Sequence, residues 1–187
     1  FKLGARFEYE DDSYIPLLVT EGFNKEEYYK IKFRNSNGSK DRFNHITEEG
    51  KKAGLEFNFD KSKNLPNTFL AHRLLWFSRS KDMQDVIAEA LFHAYFTEGR
   101  DIGSINELIS ISTENGLQKS EIKDFFKTDV GSDEILREEL RAKEMKIFSV
   151  PTYIFNKKYL LVGGQEADTF KSYMKKVIEV DSKISKP

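Results

Sequence analysis

Residues 150–165 read VPTYIFNKKYLLVGGQ, and the fold turns on how this stretch is interpreted. VPTYIFN and KYLLVGG are two short β-rich runs separated by Asn156 and Lys157. That is hairpin spacing, although Asn-Lys is a less distinctive turn than Asn-Gly. Pro151 stands at the head of the first run, where its missing amide proton and fixed ring suit a strand start better than a ladder interior. A cis Val150–Pro151 bond would turn the backbone and leave the Val150 amide and carbonyl facing an extended substrate. An ordinary strand-start proline satisfies the same spacing, and the residues alone leave both readings open. Past Gly163 and Gly164, the positions Phe170, Tyr173, Met174, Val177 and Ile178 return to helical periodicity, and the terminal SKISKP has little to pack.

Upstream of the hairpin the chain is almost entirely helical. Asp133–Met145 places Ile135, Leu136, Leu140 and Ala142 among charged positions, and Lys119–Lys127 forms a shorter helix. SINELISISTENG offers Ser104 as a cap and Asn115-Gly116 as a stop. The firmest helix follows Asp82 as its cap, with Met83, Val86, Ile87, Ala90, Leu91, Ala94 and Tyr95 on one broad face, and it ends at Gly99. Asn67, after Pro66, caps a helix through TFLAHRLLWFS, whose Leu70, Leu74, Leu75 and Phe77 are core positions. LEFNFD is a connector, and DRFNHITEEGKKAG is a helix with Phe43, Ile46 and Ala53 inward, weakened by Gly50 and ended by Gly54. Asn37-Gly38 supplies a turn and a boundary, Asn24–Phe33 a short helix, and Ala5–Glu10 a strand with Phe7 and Tyr9 on one face. Strand, helical block, hairpin and final helix make an α/β layer interrupted by a helical insertion. A separate helical domain followed by a hairpin is the simpler alternative.

Composition narrows the function classes. Thirty Lys and Arg against 31 Asp and Glu give a formal charge of -1, which favours neither nucleic acid nor an acidic membrane as partner. With 39% hydrophobic residues, including 16 Phe and 8 Tyr, the chain has the material for a real core. No run approaches the roughly 18–20 apolar residues of a membrane span, and the start carries no signal-peptide pattern. The chain has no cysteine. That excludes, within these residues, a disulfide, a thiolate nucleophile, a cysteine-held zinc or iron–sulfur site, and any thiol–disulfide cycle run by this segment alone.

Few residues are left to carry other chemistry. His45, His72 and His93 form no HExxH pattern and no close ligand pair, so no protein-held zinc is expected. His72, beside Arg73 on a helix with apolar neighbours, reads either as a partly buried histidine bonded to a neighbour or as a ligand-site residue. Glu48-Glu49, Glu138-Glu139 and Asp168 are scattered carboxylates of the kind a soluble helical surface needs, and linear spacing does not make a glycosidase pair of them. Gly163-Gly164 lacks the further glycines and lysine of a phosphate loop and reads as a turn.

Four blocks in order do more than any one of them: HITEEGKKAGLEFNFD at 45–60, PNTFLAHRLL at 66–75, EALFHAYFTEGRDIG at 89–103 and VPTYIFNKKYLLVGGQ at 150–165. Together they resemble the DsbA-like thioredoxin-fold family that includes cytoplasmic FrnE-type disulfide oxidoreductases and isomerases. Glutathione-dependent hydroxychromene-carboxylate isomerases and kappa-class glutathione transferases are more distant relatives. The similarity spans about residues 41–178.

The resemblance implies an α/β, thioredoxin-like fold interrupted by a large helical insertion, with the first strand and first helix missing from this sequence. Residues 1–23 would be a partial thioredoxin-like domain, 24–145 the insertion, and 146–180 the hairpin and helix that complete the thioredoxin part. It implies a cis Pro151 and a substrate-binding set of Val150, Pro151, Thr152, Asn67, His72 and Arg73, with the Val150 backbone pairing to a peptide or thiol substrate. It implies no tightly bound cofactor, glutathione as a co-substrate, protein or small-molecule thiols and disulfides as partners, and a cytoplasmic location; homodimerisation stays open.

Oxidising members of the family carry a CPxC motif after the first strand, at a helix start that lowers the reactive thiol's pKa. No such motif occurs here, and no catalytic residue is expected among these 187. Phe1 enters the pattern after that motif, so the expectation is a segment of a longer oxidoreductase whose cysteine pair lies upstream. Lys146 and Ser149 also stand where the family commonly uses glycine. A glutathione-dependent isomerase or transferase and a non-redox peptide-binding module are the alternatives.

Overall fold

The computed structural model describes residues 22–28 and 37–184. The expected strand at Ala5–Glu10 lies outside them. Of the expected helix Asn24–Phe33, residues 25–28 are helical. Asn24 caps this turn: its Oδ1 accepts from the Glu26 and Glu27 amides at 3.0 and 3.1 Å. The chain divides into two compact units, Phe1–Glu138 and Glu139–Pro187.

The first unit opens with a two-residue strand, β1 (Phe23–Asn24), antiparallel to β2 (Asn64–Leu65) in the register Phe23↔Leu65. Neither strand has a periodicity long enough to be seen in the sequence. Helix α1 runs Asn37–Lys52, so Asn37-Gly38 opens a helix rather than forming the expected turn. Ile46 and Ala53, expected inward, are exposed, and the inward position is Gly50. A β-carbon there would sit 2.5 Å from the Phe57 ring, so the glycine that weakened the helix pattern is what admits the ring. Gly54, at φ +77°, closes the helix as expected, and LEFNFD is a connector without a strand partner. Phe57 and Phe59 pack against Phe96 at 5.7 and 6.0 Å and Phe43 against Phe59 at 4.8 Å. Lys25 lies over the rings of Phe43 and Phe59 and donates to the Phe59 carbonyl; burial lowers its pKa, against the pull of Asp60.

The core of this unit is helical: α2 (Phe69–Arg79), α3 (Gln84–His93), α4 (Ile105–Glu114) and α5 (Lys119–Phe126). Leu74, Ile87, Leu91, Leu108, Ile111 and Ile122 are all under 2% exposed, each contributing about 1.5–3 kcal/mol by burial. Asp82 is not the cap of α3. It lies at φ +56° and closes α2, with the Met83 amide donating back to the Ser78 carbonyl at 3.0 Å. Helix α3 starts two residues later and leaves Val86 exposed. It continues as a wider π-helical turn, Ala94–Glu98, closed by Gly99 at φ +76°. Ser104 precedes α4 in extended backbone, without a side-chain capping bond, and Gly116 ends α4 at φ +98°.

Helix α6 (Ser132–Glu144) crosses from one unit into the other. Ile135 and Ala142 are buried, whereas Leu136 and Leu140 are exposed. In the second unit β3 (Thr152–Phe155) pairs antiparallel with β4 (Tyr159–Val162), Thr152 facing Val162 and Phe155 facing Tyr159. The loop is three residues, Asn156–Lys158, one longer than the expected Asn156-Lys157 pair, and Asn156 and Lys157 both take positive φ. Helix α7 (Ala167–Ile184) lays Phe170 and Tyr173 on the hairpin and buries Val177. Phe170 meets Tyr153 edge-on at 4.5 Å, and the Tyr173 hydroxyl donates to the Leu160 carbonyl at 2.7 Å. Two strands are too narrow to cover the full apolar face of α7, and Met174 and Ile178 stay exposed, Ile178 to 65%.

Candidate functional site

The loop from Lys146 to Thr152 is fixed from both ends. At its start the Ile147 amide donates to the Ala142 carbonyl at 2.9 Å and the Lys146 amide to Lys143 at 2.8 Å, closing α6 with Lys146 at φ +55°. This left-handed conformation favours glycine, the residue the family resemblance puts there. At its end the Thr152 hydroxyl donates to the Ser149 carbonyl at 2.6 Å, and the Gly163 amide donates to the Pro151 carbonyl at 2.8 Å. The Val150–Pro151 peptide bond is cis.

Between these two pinned carbonyls stands Val150, whose amide and carbonyl make no hydrogen bond among the described residues. Val150 is 42% exposed and Phe148 61%. One residue thus offers a donor and an acceptor from a held backbone, the pattern an extended chain satisfies by antiparallel pairing. The loop carries no thiol, since the chain has no cysteine.

Asn67, His72 and Arg73 belong to the first unit. Helix α2 begins at Phe69 with Thr68 in the cap position, not the expected Asn67, whose Oδ1 accepts from the Phe69 amide at 2.9 Å in the turn before it. His72 is half-buried on α2, and its amide donates to the Thr68 carbonyl at 2.9 Å. Arg73, one residue on and therefore about 100° round the helix, is 4% exposed. Its Nε and Nη2 donate to the Val130 carbonyl at 3.2 and 3.0 Å, and Nη2 also donates to Thr128. The guanidinium carbon lies 5.0 Å from the centre of the Phe125 ring. Burial lowers its pKa while Asp129 raises it. Arg73 therefore ties the 128–130 loop to α2. The six expected residues gather as two sets, three on the loop of the second unit and three at the start of α2.

Two polar clusters escaped the sequence reading. Arg100 donates to Glu107 at 2.7 Å and to Glu114 at 2.8 Å, and Glu98 stands 3.6 Å away; its pKa is raised, first by the bond to Glu114, and that of Glu114 is lowered. Asp181 accepts from the Tyr159 hydroxyl at 2.7 Å, from Asn156 and from Lys158 at 2.6 Å. These bonds, Lys158 first, hold its carboxyl down to about 2. Apart from Glu98, their partners lie 7 to 25 residues apart in the chain, so linear spacing carries little sign of them. Among the described residues no group of His, Asp and Glu is arranged to hold a metal ion, and no helix is long and apolar enough to cross a membrane.

A helical block attached to a two-stranded hairpin with a cis-proline at its head and a helix across its face defines a thioredoxin-like protein of the DsbA type. Residues 25–175 match the DSBA-like thioredoxin domain family, and the chain belongs to it. A crystal structure of a probable DsbA oxidoreductase from Streptomyces coelicolor superposes with a TM-score of 0.72 at 18% identity, over 82% of this chain and 67% of that one. A 2-hydroxychromene-2-carboxylate isomerase superposes at 0.57 and 16% identity, over 88% of this chain and 83% of the other. Uncharacterized protein YwbO of Bacillus subtilis is 28% identical over 127 residues, 67% of this chain. The chain spans 62% of the length of that relative.

Proposed function

We propose that the chain is the substrate-binding part of a thiol–disulfide oxidoreductase or isomerase of the FrnE type. The exchanging Cys-x-x-Cys pair lies outside these 187 residues. The observation that carries the reading is the Val150 amide and carbonyl, which make no hydrogen bond among the described residues and are held between the bonded carbonyls of Ser149 and Pro151. A substrate chain laid antiparallel on Val150 would have its own backbone fixed by two bonds. A cysteine within it would then be presented at a constant distance to an attacking thiolate. Val150, Pro151 and Thr152 form this subsite. Asn67 and His72 are a separate candidate contact set at the start of α2, and Arg73, whose guanidinium donates to Thr128 and Val130, acts through the loop it holds. The reading carries with it a cytoplasmic setting and glutathione as a small co-substrate, with no tightly bound cofactor.

The absence of cysteine favours one second reading, a peptide-binding module without redox activity. Two measurements separate them. Intact mass and N-terminal peptide mapping of the protein from its native source would reveal an upstream CPxC or exclude it, and a native chain without the pair would sink the redox function. Titration of the isotope-labelled chain with an extended cysteine peptide and, separately, with glutathione should move the Val150 and Gly163 amide resonances. The peptide is expected to shift both, and unmoved resonances with either ligand would remove the binding role of the loop.

A further inference from the structure

We propose that the outer edge of β3 pairs with the same edge of a second copy of this chain, joining two hairpins into one four-stranded sheet. The pairing does not depend on the substrate reading, and where both hold it closes Val150 to substrate. The register decides which backbone groups face outward. The Gly163 amide donates to the Pro151 carbonyl, so Pro151 and Gly163 form a bonded pair of the ladder. Bonded and unbonded pairs alternate between antiparallel strands, which makes Tyr153–Leu161 and Phe155–Tyr159 bonded, and Thr152–Val162 and Ile154–Leu160 unbonded. Thr152 and Ile154 on β3, and Leu160 and Val162 on β4, therefore turn their amides and carbonyls away from the hairpin.

The two edges are finished differently. On β4 both outward carbonyls are taken by side chains: Leu160 accepts from the Tyr173 hydroxyl at 2.7 Å, and Val162 from Gln165 Nε2 at 2.9 Å. On β3 the amides and carbonyls of Thr152 and Ile154 make no hydrogen bond among the described residues, and those of Val150 make none either. A donor and an acceptor thus recur at every second residue, the template on which a further strand forms. The sheet face is unfinished as well. Helix α7 packs on the side of Tyr153 and Phe155 through Phe170 and Tyr173, whereas Ile154, Leu160 and Val162, on the opposite side, are exposed. A two-stranded sheet with an uncovered apolar face gains stability from further strands. A second copy completes the row by symmetry. With a twofold axis at Thr152, that residue pairs with its own counterpart and Val150 pairs with Ile154 in both directions, so each outward amide meets a carbonyl. Val150 and Ile154 are both apolar and exposed, which makes them a favourable cross-strand pair.

The test is sedimentation velocity of the full chain from about 5 to 500 µM, together with single cysteines placed in a chain that has none. The parent should pass from monomer to dimer over that range. T152C should form a disulfide-linked dimer on mild oxidation, since directly opposed Cα atoms lie about 5.5 Å apart. V162C, exposed on the same face but about 14 Å from its counterpart across three strand spacings, should not. I154P removes one outward amide from each copy, leaves the hairpin's own bonds in place and should weaken the dimer by about tenfold or more. Circular dichroism shows whether that variant keeps its fold, and the two cysteine variants decide the question if it does not. Three results would overturn the proposal: a monomer at every concentration, crosslinking of V162C as fast as of T152C, or a folded I154P that dimerises as tightly as the parent. A monomer whose Thr152 and Ile154 amides resist hydrogen exchange would put another segment of the polypeptide on the edge and equally overturn self-pairing.

Discussion

Replacing Arg73 by methionine tests whether that side chain is a staple. The guanidinium reaches two carbonyls, Thr128 and Val130, and lies on the Phe125 ring. Methionine keeps most of the apolar stem and so isolates the head group. Hydrogen bonds from a charged donor contribute about 1.5–3 kcal/mol each. Thr128 and Val130 are on an exposed loop, where water can replace part of the bond, so the lower figure applies to each carbonyl. The ring contact adds about 0.5–1 kcal/mol. The expected loss is about 3–4 kcal/mol, a large share of the stability of a domain this size. Trp76 is the chain's one tryptophan, and Gly131 beside that loop lies against its ring. Its fluorescence therefore reports unfolding of the first unit. In urea the midpoint should fall by about 1.5–2 M at an m-value near 2 kcal/mol/M. Arg73→Lys, which keeps the charge and reaches one carbonyl, should lose about half as much. A loss below about 1 kcal/mol in the methionine variant, or equal losses in both, would refute the staple.

Three further outcomes follow from single positions. Gly131→Ala should destabilise the first unit by about 2–4 kcal/mol, since the residue is at φ +83° and its new β-carbon would meet the Trp76 ring at 2.7 Å; unchanged urea midpoint and tryptophan emission would contradict the packing. Lys146→Gly should raise the melting temperature by a few degrees, because relief of about 1 kcal/mol of left-handed strain exceeds the added chain entropy; a lower melting temperature would show that the lysine side chain contributes more than its backbone costs. Asp181, held at about 2 in the folded protein by Lys158, Tyr159 and Asn156, has a pKa depressed below the ordinary value near about 3.9. Its contribution is therefore present above about pH 4 and lost as the pH falls toward 2. Carboxyl NMR should show that low midpoint, and a midpoint at the ordinary value would dissolve the cluster. Asp181→Asn should abolish the acid dependence of the hairpin end while leaving the first unit unchanged.

The helices of the first unit were legible because their apolar residues recur at three and four positions. The face of Ile87, Leu91 and Ala94, the stop at Gly99 and the hairpin all lie where the pattern puts them. Boundaries were less legible, since a residue that can start a helix can also end one. Asp82 has the side chain of a cap and the backbone of a terminator, and only the amide of Met83 returning to Ser78 decides between the two. Gly50 shows the same ambiguity in the opposite direction: its helix cost is local, and the Phe57 ring that explains it arrives from the connector.

What the sequence determined by itself was the class of the protein and the limit on its chemistry. Four ordered blocks carry the family, and the lack of cysteine forbids thiol exchange by these residues whatever their arrangement. Tertiary structure decided what each polar residue does. Arg73 could have faced a substrate or a carbonyl, and its surroundings come from residues 55 to 57 positions away. Val150 could have been an ordinary strand approach. Its amide and carbonyl make no hydrogen bond among the described residues, while its neighbours are pinned, Ser149 through Thr152 and Pro151 through Gly163. Periodicity records how a side chain faces its own element. Hydrogen bonds between distant segments leave no periodic trace, so the ion clusters around Arg100 and Asp181 became visible only in three dimensions.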